Sequence, residues 1–497
     1  MNAGRILRPE DHVKDVEIKT ARTRSGVGYS IPSTLTTGYR YARMGYTTVI
    51  EPATSPLKTR HTHEELNDIP VIDKACFPVF GNNWIVMEYL SQGRIDECAA
   101  YVAWVLDATK GYSIKIVNPG GIEAWAWGRN VSSLDDQVPN FNITPREILR
   151  GLCEVNKSLR LPHAIHVHPN NLGKPGNFET TIETMDSLRG MECEKPILHV
   201  THVQFEGYGG KDWFSITSKA PQIADYVNAH DHVTVDIGQV VFTDTTTMTA
   251  DGPFQYQLHL LSRNKWMNLD VEIESGAGIV PFEYKLSNSV NAVQWAIGLE
   301  LALLVKSPWK VYLTTDHPNG GPFTSYPKIM SWLMSKKARE RIISRIPRSA
   351  RRRTCLESVD RELTFSEISV MTRAGTARSL GLGDKGHLGV GADADIAVYP
   401  VNPKLIDPSN DYEKLVKAFG NASYVLKEGQ IIVSEGRIVR STQGRTFWVN
   451  SKVPIDLESS MLRELETKFT EYYTVKMENY KIPEKYLGRS APVQTVM

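Results

Sequence analysis

From about residue 30 to residue 320 this chain alternates strand-like runs with helix-like ones, and that alternation constrains the fold more than any other feature. A strand, a helix and a second strand in succession build a parallel sheet with crossover helices. The strand candidates are Tyr46–Ile50, Tyr112–Val117, Ala164–His168, Ile197–Gln204, Thr234–Val240 and Val311–Thr315. Each ends in a polar or glycine-containing loop, and parallel α/β barrels carry their chemistry at those C-terminal ends. An open doubly wound sheet is the alternative, but no G-x-G-x-x-G turn supports it.

The rest of the chain fills in around that core. With 497 residues there is length for one large α/β core and a smaller domain. The 57 basic and 56 acidic residues leave a net charge of +1, which gives no pull towards nucleic acid or an anionic membrane. The five cysteines (Cys76, Cys98, Cys153, Cys193, Cys355) form no Cys-x-x-Cys pair, which fits a reducing cytoplasm and argues against an iron–sulfur site. No secretory segment is expected at the start. The longest apolar stretch, Ala292 to Val305, holds Gln294 and Glu300 and reads as a buried helix after Ser287-Asn288-Ser289. The Lys- and Arg-rich residues 336 to 353 read as a solvated helix face. Thr372 to Leu382 reads as a helix ending near glycine, and Gly386 to Tyr399 as a turn feeding a strand. With Val425–Ser434 and Arg437–Arg440 as further short strands, a small β module stands beside the large unit.

Chemistry enters with Lys115-Ile116-Val117-Asn118-Pro119-Gly120-Gly121, preceded by Gly-Tyr-Ser-Ile. A lysine in a strand-like run that breaks at Pro-Gly-Gly is expected to be buried, and a buried ammonium is costly unless paired or altered. Reaction with carbon dioxide to a carbamate is one alteration: it turns the cation into an anionic oxygen donor. A lysine snorkelling at a strand end is the plainer alternative.

Seven of the thirteen histidines fall between His163 and His232: His163, His166, His168, His199, His202, His230 and His232. Strand side chains alternate, so His166 and His168 share one face, while His199 and His202 are expected on opposite faces. Imidazole is the commonest ligand for zinc-like ions, and a binuclear site draws ligands from several strands. Asp316 follows the last apolar strand in Thr314-Thr315-Asp316-His317-Pro318-Asn319-Gly320-Gly321. A carboxylate there can bind a metal and move a proton; a helix N-cap is its plainer role.

Lysine, two histidine strands and a late strand-end aspartate resemble the amidohydrolase superfamily, and the return through Thr372 to Tyr399 resembles the β-sandwich of dihydropyrimidinase-like members. A more specific resemblance covers nearly the whole chain. Arg8-Pro9-Glu10-Asp11-His12, Gly45-Tyr46-Thr47-Thr48 and Arg60-His61-Thr62-His63-Glu64-Glu65 are similar to the amidohydrolase-type subunit of formylmethanofuran dehydrogenases. So are the Lys115 run, His166 to Gly173, Thr201 to Phe205 with Tyr208-Gly209-Gly210, and Thr315 to Phe323. The resemblance implies a (β/α)8 TIM-like barrel with a binuclear zinc centre. It also implies a place in a cytoplasmic complex of several subunits, one of them a molybdenum or tungsten formate dehydrogenase-like subunit. The implied reaction interconverts formate plus methanofuran with N-formylmethanofuran. Carried over by position, Lys115 is the carboxylated bridging ligand, His168 and His202 bind metal, and Asp316 is ligand and proton shuttle; His166 and His199 remain the alternatives on their strands. The rival readings are a cyclic amidohydrolase and a non-catalytic scaffold in a formyltransferase/hydrolase complex.

The implied division is a barrel over residues 1–383, a β-sandwich module over 384–445 and a C-terminal extension over 446–497. One departure stands out. The superfamily's first-strand His-x-His is expected upstream of the Arg8 run, and Met1 lies seven residues before Arg8. His61-Thr62-His63 is a poor substitute, since Glu64-Glu65 points to a helix. The expectation is a truncated chain whose barrel lacks its first strand, with weak metal binding and little activity.

Overall fold

The computed structural model describes residues 34–497 apart from 130, 192–193, 264–266 and 270–276. The Arg8–His12 run and Cys193 lie outside the described residues. Five strands form a parallel ladder in the order Val311–Tyr312, Val233–Asp236, Leu198–Val200, Ile165–His168 and Lys115–Val117. A bridge from Val79 to Lys115 continues it to Asp73–Pro78, which pairs in parallel with Thr48–Thr54. Asp73–Pro78 has no counterpart among the expected strands, because its charged start and Cys-Phe-Pro end break the apolar pattern.

The register decides which side chains share a face. Lys115 pairs with His166, His166 with His199, and His199 with Thr234. Ile116, Val167, Val200 and Val235 alternate with them and are buried in one apolar cluster with Leu106, Leu149, Leu152 and Leu299 of the surrounding helices. Each such burial contributes roughly 1.5–3 kcal/mol, so a slip of one residue, which would turn the histidines outwards, is strongly disfavoured. The crossover helix Pro145–Ser158 starts at a capping box between Thr144 and Glu147, and Ser289–Leu304 is capped by Asn288 and buried as expected. Among the described residues no helix is long and apolar enough to cross a membrane.

A four-stranded antiparallel sheet runs Ile396–Val398, Tyr424–Lys427, Gln430–Ser434 and Arg437–Ile438. Arg445–Lys452 then returns to the large unit, bridging Asp73–Pro78 at Lys74 and pairing in parallel with Arg489–Val496. The basic run at 336–353 forms two short helices, Lys336–Ile343 and Arg348–Arg351. It is not wholly solvated: the Arg339 guanidinium is buried and donates to the carbonyls of Trp332, Val359 and Arg361.

Candidate active site

Lys115 opens its three-residue strand rather than closing a longer one, because Gly111 to Ile114 is spent on the turn from the preceding helix. Its side chain is buried. Burial draws its pKa down to about 8, against the pull of Asp316, Asp236 and Glu206, whose carboxylates face it. Beyond the strand, Asn118 and Gly120 take left-handed backbone conformations and turn the chain away. The Asn118 side chain donates to Asp251 at 3.2 Å and accepts from Asn170 at 2.8 Å, tying this loop to the one after His168.

The histidines fall in two tiers. His168 lies level with Val117 and hydrogen-bonds Asp251 through Nε2 at 3.0 Å. Its ring centroid is 4.8 Å from that of His202. Two residues earlier on the same face, His166 stands 4.6 Å from His199, ring to ring. His199 therefore points to the same side as His202, contrary to the alternation expected. The strand stops at Val200, and His202 takes a left-handed conformation (φ 39°) that swings its ring back, leading into a 3-10 turn over Val203–Glu206.

Carboxylates complete the group. Asp236 accepts from His199 Nε2 at 3.0 Å, from the His202 backbone N–H at 2.9 Å and from the Thr314 hydroxyl. Burial would raise its pKa, but the His199 hydrogen bond and nearby imidazoles hold it below the usual carboxylate range. Glu206 is fully buried 3.3 Å from His202 Nδ1, and burial pushes its pKa well up. Asp316, partly buried in a left-handed turn, accepts from Asn319 at 2.8 Å. Burial lifts it to about 7, the Asn319 bond lowers it and Asp236 raises it.

The structure thus brings Lys115, Asp316, His168 and His202 into one neighbourhood, with His166 and His199 beneath. His61 and His63 stand apart on the helix Thr59–Asn67, His63 buried against the Thr109 carbonyl. His230 and His232 hold the backbone carbonyls of Tyr226 and Met185. Sequence reasoning missed Asp236, Glu206 and Asp251. Asp236 was findable, lying two residues after Thr234 on the inward face. Glu206 had only its i+4 spacing from His202 as a signal, and Asp251 had none.

The donor set fits a divalent transition ion. Burial pushes the pKa values of His166, His168 and His202 down, so their imidazoles are neutral as ligation requires. His166 Nε2, His202 Nδ1 and both Glu206 oxygens are buried without a hydrogen-bond partner among the described residues, a cost that coordination would relieve.

Gly238 supports this geometry. Its φ is +56°, and a Cβ there would lie 2.5 Å from His202 Cβ and 2.7 Å from His202 Cα. Gly238→Ala is expected to cost about 2–3 kcal/mol from left-handed strain plus the clash with His202. Thermal denaturation of the variant against the parent checks it.

A parallel α/β sheet with histidines, carboxylates and a buried lysine gathered at its strand ends defines the class of protein: the chain belongs to the amidohydrolase family, whose profile matches residues 2–433. Within that family it stands with two named relatives. It is 53% identical to protein FwdA of Methanocaldococcus jannaschii over 494 residues, 98% of this chain and 86% of that protein. It is 35% identical to FhcA of the formyltransferase/hydrolase complex Fhc of Methylorubrum extorquens over 453 residues, 90% of this chain and 79% of that protein. The crystal structure of that organism's FhcABCD complex with methylofuran aligns with a TM-score of 0.87 at 34% identity, covering 97% of this chain and 86% of that one.

Proposed function

We propose that this chain is the FwdA-type subunit of a formylmethanofuran dehydrogenase, a C–N hydrolase that interconverts N-formylmethanofuran with formate and methanofuran. The observation that carries the reading is the convergence of buried Lys115 with His168, His202 and Asp316, in a chain 53% identical to FwdA. A (β/α)8-type barrel within 1–383, a β-sandwich built on the antiparallel sheet of 384–445 and a C-terminal extension belong to the same proposal. So does assembly with a molybdenum or tungsten formate dehydrogenase-like subunit, for which the multi-subunit FhcABCD neighbour is the support.

Lys115, His168, His202 and Asp316 would hold two zinc ions, with Lys115 as a carbamate. When bound, the metal supplies Lewis acidity, polarising the formyl oxygen and making water more acidic. A lysine with its pKa near 8 keeps a share of free amine, the form that adds carbon dioxide. Asp316 has Oδ2 occupied by Asn319, leaving Oδ1 to move the proton. With a pKa near 7 it can take a proton from attacking water and pass it to the departing amine nitrogen. The water oxygen bonds the formyl carbon, the C–N bond breaks, and formate and a free amine result. The Pro318 to Gly321 loop is fixed by backbone needs: a Cβ on Gly320 would lie 2.7 Å from the Gly238, Gln239 and Thr315 carbonyl oxygens.

The assay is formate release from N-formylmethanofuran by the purified chain, before and after chelation and with zinc added back. Release that chelation stops and zinc restores is the expected result. Turnover of dihydrouracil instead would transfer the chain to the cyclic amidohydrolases. Normal assembly with partner subunits but no turnover of either compound would make it a scaffold.

A further inference from the structure

We propose that Asn319 is a positioning residue for Asp316, set in turn by the strand Asp244–Thr249, whose backbone decides which way the Asn319 amide faces. The inference rests on the proton-transfer role proposed for Asp316. Asp244–Thr249 is the edge of a three-stranded antiparallel sheet, with Ala277–Glu283 in the middle and Met267–Leu269 beyond. This sheet is inserted between the strand Val233–Asp236 and the helix Ser289–Leu304.

In an antiparallel pair, successive residues turn their N–H and C=O alternately towards and away from the partner strand. The Thr243 carbonyl accepts from the Tyr284 N–H across this pair, so Thr245 and Thr247 also face Ala277–Glu283, and the Met248 N–H faces away. It donates instead to Asn319 Oδ1 at 2.5 Å. A backbone N–H can only donate, so the amide atom facing it is the oxygen and the NH₂ points the other way. There Nδ2 donates to Asp316 Oδ2 at 2.8 Å. A flipped amide would set N–H against N–H and oxygen against carboxylate. The last side-chain torsion of an aspartate is broad, and among the described residues the Asn319 amide is the donor that holds the Asp316 carboxylate in one orientation.

The Met248 N–H is itself held from both sides. The Thr245 hydroxyl donates to the Pro318 carbonyl, tying the strand to the loop that carries Asn319. Three residues beyond Met248, a reach of at most about 11 Å, Asp251 is buried and fully engaged. Its Oδ1 accepts from Asn118 Nδ2 and from the Phe254 N–H at 3.2 Å each, and its Oδ2 lies 3.0 Å from His168 Nε2. The Phe254 ring lies so tightly on Gly173, in the loop after His168, that a Cβ there would stand 2.1 Å from Phe254 Cε2. The inserted strand is therefore anchored to the loop after Asp316 at one end and to the Lys115 and His168 strand ends at the other. Through one amide, the Asp316 carboxylate takes its orientation from both.

The test compares formate release and amide exchange in the full chain as parent, Asn319→Ala, Met248→Pro, the double variant of these two, and Asn319→Asp. Proline removes the Met248 N–H at an edge position, where a strand tolerates it. Asn319→Ala and Met248→Pro should each lower kcat about 10–100-fold with KM within about threefold, the mark of a misplaced reacting group rather than of lost binding. The double variant should fall no further than Asn319→Ala, since both changes cut one connection. Asn319→Asp can still accept from Met248 but sets a carboxylate against Asp316, so it should lose as much kcat while the Met248 amide stays protected. In Asn319→Ala that amide should exchange at least about tenfold faster, with exchange across Ile165–His168 unchanged. Circular dichroism verifies folding; should Met248→Pro unfold, the contrast between Asn319→Ala and Asn319→Asp carries the test. Parent-like kcat in Asn319→Ala, losses that multiply in the double variant, or unchanged Met248 exchange in Asn319→Ala would each overturn the inference. A parent chain that releases no formate would overturn the proposed function instead, and Met248 exchange would then decide the inference by itself.

Discussion

Lys115→Ala is expected to lower formate release on the order of 10³-fold, equivalent to about 4 kcal/mol of barrier, with little change in thermal stability. The asymmetry follows from the site. Lys115 is buried and faces three carboxylates, Asp316, Asp236 and Glu206, so as an ammonium it offsets their charge at a desolvation cost of its own. Alanine removes both the cost and the pairing, and Glu206, with its pKa already well up, can stay protonated. What disappears without replacement is the amine on which the proposed carbamate depends. A chain labelled with ¹³C-bicarbonate should give a carbamate carbon signal that Lys115→Ala lacks. A small carboxylate such as acetate, diffusing into the space left, should restore part of the activity to Lys115→Ala and none to Asp316→Ala. Full activity in Lys115→Ala would end the reading of Lys115 as a metal-bridging residue. Equal inactivity of parent and variant, with a normal complex, would favour the scaffold.

Much of the core was legible because parallel strands buried on both faces write themselves as β-branched runs. Ile116, Val167, Val200 and Val235 mark the outer face, and their neighbours in sequence supply the inner one. The reading failed where backbone rather than pattern decides. Alternation rightly puts His166 and His168 together, but it cannot foresee that His202 turns left-handed two residues past the strand and joins them. Asp73–Pro78 was invisible because its first residues are charged, and a charged strand start is sensible only with partners far along the chain. The same holds for Asp251: nothing local distinguishes it from any helix N-cap, and only the fold puts it 3.0 Å from His168. The family resemblance supplied the chemistry that pattern alone could not, and it named single residues where the structure assembles two tiers.

Those distant partners of Asp73 set the second large effect: Asp73→Ala is expected to destabilise the chain by about 3–5 kcal/mol. Asp73 is fully buried at the start of its strand, with Lys385 Nζ and Lys427 Nζ both at 2.7 Å and Arg445 Nη2 at 3.1 Å. Asp395 shares the two lysines at 2.8 Å each, and Asp393 binds Lys385 and Arg445. Three carboxylates so close could suit a cation, but three basic side chains already fill that role. Removing Asp73 leaves the buried Lys385 and Lys427 sharing Asp395, with Asp393 divided between Lys385 and Arg445 and Glu428 3.4 Å from Arg445. The loss should register first in the antiparallel sheet, since Lys427 lies on its Tyr424–Lys427 strand and Asp395 just precedes Ile396–Val398. Hydrogen exchange across Tyr424–Ser434 should therefore accelerate more than across the Ile165–His168 strand. Acid gives an independent check. Burial would raise the Asp73 pKa, but Lys427 and Lys385 hold it down to about 2, below an unfolded value of about 3.9. A depressed carboxylate stabilises fully above the unfolded value and loses its contribution as pH falls through the folded one. The parent should therefore lose stability between about pH 4 and pH 2 more steeply than Asp73→Ala, whose urea midpoint starts lower and changes less. Parallel acid curves for the two proteins would mean that Asp73 is not the group through which protons unfasten this corner of the fold.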